Sequence, residues 1–99
     1  LDAAPQAEYV LIIHEVDDYP KWKDIFDAAV DIRRTAGEID YQLLASNTNE
    51  RRVVHFSRWR SLRAAQLFFE SEELVRIRRE AGVKAPEFLY LRQIEQGAL

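Results

Sequence analysis

A chain of 99 residues, 47% hydrophobic and 31% charged, has the size and composition of one globular domain, which excludes a disordered chain. It has no cysteine, which excludes disulfides and thiolate metal sites, and its net charge of -3 gives no basis for a nucleic-acid or membrane partner. No apolar run approaches the ~18 residues needed to span a bilayer, and LDAAPQAE lacks the basic-then-apolar pattern of a secretory signal, so a cytoplasmic protein is expected.

Residues 1–8, with Pro5 and small side chains, read as a loose arm before a single domain over 9–96. The run YVLIIHEV, Tyr9–Val16, is rich in β-branched and aromatic residues and predicts a central strand with two apolar faces. Alternation puts Val10, Ile12, His14 and Val16 on one face, opposite Leu11 and Ile13. Asp17 and Asp18 are candidate caps and Pro20 suits a first helical turn. The helix that follows is predicted to run to about Ala36, with Trp22, Ile25, Phe26, Ala29, Ile32 and Arg33 on its packing face and Gly37 ending it.

Glu38–Ser46 predicts a second strand, with Ile39, Tyr41, Leu43 and Ala45 facing one way and Asp40, Gln42, Leu44 and Ser46 the other. Asn47–Glu50 reads as a hairpin turn. The third strand, about Arg52–Trp59, sets Val54 and Phe56 against Val53, His55, Ser57 and Trp59. Ser61 is positioned to cap a helix over Leu62–Phe69. Ser71 caps another that ends at Gly82, with Leu74, Ile77 and Ala81 at apolar spacing. The last strand, about Glu87–Ile94, sets Leu89 and Leu91 against Phe88, Tyr90 and Arg92.

The order β-α-β-β-α-(α)-β predicts an α+β fold, the ferredoxin-like split βαβ with a four-stranded antiparallel sheet and helices on one face. Parity is read as turning Leu11, Ile13, Tyr41, Leu43, Val54, Phe56, Leu89 and Leu91 toward the helices. The other face then carries His14, Gln42, His55, Ser57, Trp59, Tyr90 and Arg92. It also carries Val10, Ile12, Val16, Leu44, Val53 and Phe88, an apolar surface that a monomer would leave wet. A homodimer with facing sheets is therefore expected.

Three stretches, EVDDYPKWKDIFD, VVHFSRWRS and FFESEELVRIRREAGVKAP, resemble the dimeric α/β-barrel superfamily that includes the antibiotic biosynthesis monooxygenases, and together they span most of 9–95. The resemblance implies a dimer whose sheets form a barrel, with a ligand cavity between sheet and helices or inside the barrel. It also implies a range of activities, from cofactor-free oxygenation of polycyclic aromatics to haem degradation and isomerisation. Many members carry a histidine in the helix after the tryptophan. Here the nearby residue is Phe68, a departure that weakens the carry-over of a helix-borne haem-ligating or catalytic histidine.

Among candidate site residues, His14 and His55 have the chemistry for proton transfer near neutral pH, or are satisfied interior histidines. Arg92 can hold an enolate oxygen or make a salt bridge, and Tyr90 can donate to a ligand oxygen or anchor a dimer. Gln42, Ser57 and Trp59 are candidate ligand-lining groups, with Trp59 also suited to closing the core. Trp22 reads as core, and Arg76–Glu80, RIRRE, as a solvated helix face. Two histidines without a third matched ligand make no convincing metal site. There is no phosphate loop, dinucleotide fingerprint or nucleophile elbow, so no cofactor is expected. The expected function is a small-molecule enzyme of the cofactor-free monooxygenase, cyclase or isomerase type, acting on a phenolic or enolisable ligand. The alternative is a non-catalytic ligand-binding or assembly module with a narrow interior and both histidines hydrogen-bonded to structure.

Overall fold

The structure, a computed structural model, describes residues 7–99. Its elements are β1 (Glu8–Val16), α1 (Tyr19–Ala28), α2 (Val30–Ala36), β2 (Glu38–Ala45), β3 (Arg52–Trp59), α3 (Leu62–Phe69), α4 (Glu72–Glu80) and β4 (Val83–Arg92). The strands form one antiparallel sheet in the order β2-β3-β1-β4, the ferredoxin-like arrangement. Of the expected arm, residues 1–6 lie outside the described residues, and Glu8 already belongs to β1.

Side-chain caps start three of the helices. Asp18 accepts from the Lys21 amide, Ser61 from Ala64 and Ser71 from Leu74. The helix expected to run unbroken to Ala36 is interrupted at Ala29, whose amide bonds back to the Ile25 and Phe26 carbonyls. The Phe26 carbonyl, which accepts from the Ala29 amide, also accepts from Arg33 Nη1 at 2.8 Å. Gly37, at φ 127°, ends α2 in a conformation that disfavours any side chain.

The helices cover the face opposite to the one expected. Val10, Ile12, His14 and Val16 of β1 are buried, as are Val53, His55, Ser57 and Trp59 of β3, and Phe88 packs on the same core. The uncovered face carries Leu11, Ile13, Val54, Phe56, Leu89 and Leu91, the last two being 41% and 38% exposed. Both faces carry enough apolar residues to be buried, so alternation alone did not orient them. For β2 the expected direction is right: Tyr41 and Leu43 lie opposite Ser57 and His55 on the helix side.

Two irregularities shape the sheet. At Ile39, β2 has a residue with no counterpart in β3, so Glu38 pairs with Trp59 on the helix side while Asp40 pairs with Arg58 on the open side. In β4, Ala85 and Pro86 lie where β1 has only His14, and Ala85 has φ 44°. β4 is an edge strand, where a bulge accommodates the missing amide of Pro86. This strand therefore starts at Val83, ahead of the expected start at about Glu87.

The core has two clusters. One joins Val10, Ile12, Trp59, Ala65 and Phe69, and the other Val16, Trp22, Phe26, Val53 and Ala81. Trp59 is 2% exposed and its ring packs on Phe68 and Phe69 at centroid distances of 5.6 and 5.2 Å. Trp59→Ala is expected to lower stability by about 3–5 kcal/mol in urea unfolding, the range for a buried aromatic truncated in a core. A loss under ~1 kcal/mol would show that the indole is not a core group. Ile12 and Val53, expected from sequence to lie on a dimer face, belong to this same core, so a charge at either strikes the core.

Candidate functional site

A cavity of about 60 Å³ lies between sheet and helices, lined by residues of both core clusters. The sheet contributes Ile12, His14 and His55 to its wall. Trp22, Phe26 and Arg33 come from α1 and α2, Phe68 and Phe69 from α3, and Leu74, Ile77 and Arg78 from α4. A wider cleft of about 400 Å³ beside Asp17, Asp18 and Glu50 is lined mainly by exposed side chains.

His14 and His55 are diagonal neighbours on adjacent strands, since His14 pairs with Val53 and His55 with Ile12. Their surroundings differ. His55 is 2% exposed and its Nε2 lies 2.9 Å from Glu38 Oε2. Glu38 Oε1 in turn lies 3.0 Å from Arg33 Nε, an ion pair whose alignment falls short of a good hydrogen bond. The Arg33 guanidinium also sits 3.7 Å from the Phe26 ring centroid. This carboxylate is thus buried with both oxygens opposite cationic or N–H partners.

His14 is 5% exposed, and its Nδ1 has no hydrogen-bond partner among the described residues. Its ring rests at a tilt against Trp22, centroids 5.5 Å apart. Burial, reinforced by the nearby His55 and Arg78, pushes its pKa down to about 3. The imidazole is therefore neutral at physiological pH. Arg78 is half-buried, donates to the Phe69 carbonyl at 2.9 Å and lies 4.9 Å from the Phe88 ring centroid. Burial lowers its pKa from the ordinary arginine value. No carboxylate pairs with Arg78 among the described residues.

Of the residues singled out from sequence, the structure brings His14 and His55 together, on the helix side and not on the open face. Ser57 and Trp59 also lie on the helix side, but they bond to each other (Trp59 Nε1 to Ser57 Oγ, 2.8 Å) and fill core. Tyr90 stacks on Phe88 outside the cavity wall, and burial raises its pKa. Gln42 is exposed opposite Phe56 on the open face. Arg92 is exposed at the far end of β4, opposite Glu8. Glu38, Arg33 and Arg78 were missed as site residues. Arg33 carried a signal, a charge on an apolar stripe. Arg78, read as solvated, stands one helical turn after Leu74 and so shares its inner face. Among the described residues no group of three or more His, Asp or Glu side chains is arranged to hold a metal.

The lowered pKa of His14 makes a stability prediction. The unfolded chain takes up a proton near pH 6.5 and the folded one only near 3, so stability is fullest above 6.5 and falls as the pH drops through that window. Between pH 7 and 5 the wild type is expected to lose up to about 2 kcal/mol more than His14→Gln. Urea unfolding of both proteins across the range measures this. Parallel curves would mean that His14 is protonated in the fold.

A family model described as antibiotic biosynthesis monooxygenase matches residues 17–80. Among solved structures, SnoaB, a cofactor-independent oxygenase from Streptomyces nogalater, is similar with a TM-score of 0.72 at 10% identity, over 94% of this chain and 97% of that one. PA3566 from Pseudomonas aeruginosa has a TM-score of 0.64 at 17% identity, over 96% and 100% of the two chains. A conserved protein from Methanosarcina mazei Go1 has a TM-score of 0.69 at 16% identity, over 89% and 93%. At these identities the likeness shows the fold. No curated protein matches the chain.

Proposed function

The chain belongs to the antibiotic biosynthesis monooxygenase family, and from that premise we propose that its cavity binds a small phenolic or enolisable compound and removes a proton from it. The observation that carries this reading is the unpartnered Nδ1 of buried His14, beside an Arg78 guanidinium with no carboxylate to neutralise it. A buried polar atom without a partner costs roughly 1–3 kcal/mol. A ligand oxygen would supply the missing hydrogen bond, and Arg78 would balance its charge.

The two histidines take different roles. With its pKa near 3, His14 is a poor base at neutral pH and serves as a hydrogen-bonding group for the ligand. His55 is the base, because Glu38 on one ring nitrogen stabilises the charge that develops when the other accepts a proton. In the oxidative version the resulting carbanion or phenolate reacts with dioxygen. A CH2 becomes C=O, one oxygen atom enters the product, and the other leaves as water with the two hydrogens. That step rests on family membership and on SnoaB being a cofactor-independent oxygenase. Typical ligand sites measure roughly 300–1,000 Å³, so a ring-sized guest would enter this cavity by displacing apolar lining groups such as Phe68 or Ile77.

Hydroquinones and 1,3-diketones are suitable probes, read by oxygen consumption and by exchange of the acidic hydrogen in deuterated water. His55→Gln is expected to lower kcat by about 10²–10⁴, while His14→Gln raises KM. Unchanged turnover by His55→Gln removes it as the base. Binding of the probes with neither exchange nor oxidation would identify a non-catalytic module.

A second copy of the chain is the proposed cover for the open sheet face. Leu11, Ile13, Val54, Phe56, Leu89 and Leu91 form a contiguous apolar surface there, and the helices are all on the other side. A two-fold pairing of this face buries it against itself. Sedimentation at micromolar concentration is expected to give a dimer, and Ile13→Asp or Leu89→Lys a folded monomer. A wild-type monomer would leave the face without a partner and end this proposal.

A further inference from the structure

We propose that Glu38 is a positioning residue. It holds His55 in the tautomer protonated on Nε2 and so keeps Nδ1 as the proton acceptor of the site. The proposal rests on the cavity being a site of proton transfer, but its structural content can be tested separately.

The argument follows from which groups can only donate. A guanidinium has no acceptor and keeps its charge, so Glu38 Oε1, ion-paired with Arg33 Nε at 3.0 Å though not aligned for a good hydrogen bond, faces it as part of an unprotonated carboxylate. Arg33 Nη1 donates to the Phe26 carbonyl at 2.8 Å, which fixes the guanidinium in place. The other carboxylate oxygen, Oε2, faces His55 Nε2 at 2.9 Å and is likewise an acceptor. Nε2 must therefore be the donor. A neutral imidazole has one N–H, so Nδ1 is left with its lone pair.

Packing keeps the ring from escaping this choice. The Phe26 ring meets the His55 ring edge-on at 5.0 Å, and Tyr41 does so at 5.9 Å. The Glu38 side chain is only 4% exposed, so water offers little competition for its oxygens. The bulge at Ile39 is what turns Glu38 under the helices, since regular alternation would have placed it on the side of Asp40.

A purely structural ion pair would alter stability when removed and leave the histidine's proton where it was. The test is histidine-selective 15N labelling with long-range 1H–15N correlation near neutral pH. In the wild type His55 is expected to show an N–H type Nε2 and a lone-pair type Nδ1. In Glu38→Gln the amide has one oxygen, which Arg33 claims. Its NH2 then faces Nε2, which must accept, and the two nitrogen signatures exchange. Glu38→Asp retains the carboxylate and is expected to keep the wild-type pattern. With the hydroquinone or diketone probes, Glu38→Gln is expected to lower kcat by up to about 10⁴-fold, the loss seen when a base histidine is held in the wrong tautomer, with little change in KM.

A wild-type His55 protonated on Nδ1, or an unchanged tautomer in a folded Glu38→Gln, overturns the proposal. Should Glu38→Gln not fold, the wild-type and Glu38→Asp spectra decide. If the wild type turns over no probe, the proton-transfer reading fails while the tautomer result stands on its own.

Discussion

A carboxylate buried between sheet and helices must be paired, and the pairing of Glu38 ties together features that are far apart in the sequence. Removing one partner of such a pair leaves an uncompensated charge, which is far more costly than never having buried it. Here the requirement is met by a helix break, a glycine and a bulge. Beside the break at Ala29, the Phe26 carbonyl accepts from both the Ala29 amide and Arg33, and so anchors the guanidinium. Gly37 lets the chain leave α2 with a φ of 127° directly into Glu38. The bulge at Ile39 then separates the direction of Glu38 from that of Asp40. His55, two strands in from the β4 edge, completes the arrangement from the sheet.

The elements and their order were legible because each signal is local. Asp18, Ser61 and Ser71 cap where their spacing suggested, and Gly37 terminates α2. Which face of the sheet meets the helices was not legible, because nothing local distinguishes Val10, Ile12 and Val16 from Leu11 and Ile13. Placing the histidines on the open side rested on a parity assignment that either face could have satisfied. The structure meets their polarity differently, by bringing Glu38 to His55 and by leaving His14, one nitrogen unpartnered, among the cavity-lining residues.

The candidate site was half legible for a related reason. Histidines announce possible chemistry by residue type, and both line the cavity. Glu38 gave no signal, because a single inserted residue decides its direction and alternation is blind to it. Arg33 and Arg78 are charged residues on inward helix stripes, where long side chains can bury their stems while the head finds a partner. For Arg33 that partner is Glu38, and for Arg78 it is a backbone carbonyl and an aromatic ring.

The same alternation gives the sheet two separate uses. In β1, Ile12 and His14 serve the cavity while Leu11 and Ile13 form the open surface. A slip of one residue would exchange the two sets, putting imidazoles on the outer face and leucines in the cavity. Because both sets are apolar enough to be buried, hydrophobicity alone would not strongly resist that slip. Polar groups can. His55 reaches Glu38, and Ser57 links Trp59 to the Val10 carbonyl, only when β3 presents these residues to the helix side. The buried polar contacts therefore choose between two registers that the apolar residues leave nearly equivalent, and that choice is what keeps the cavity lined with groups able to do chemistry.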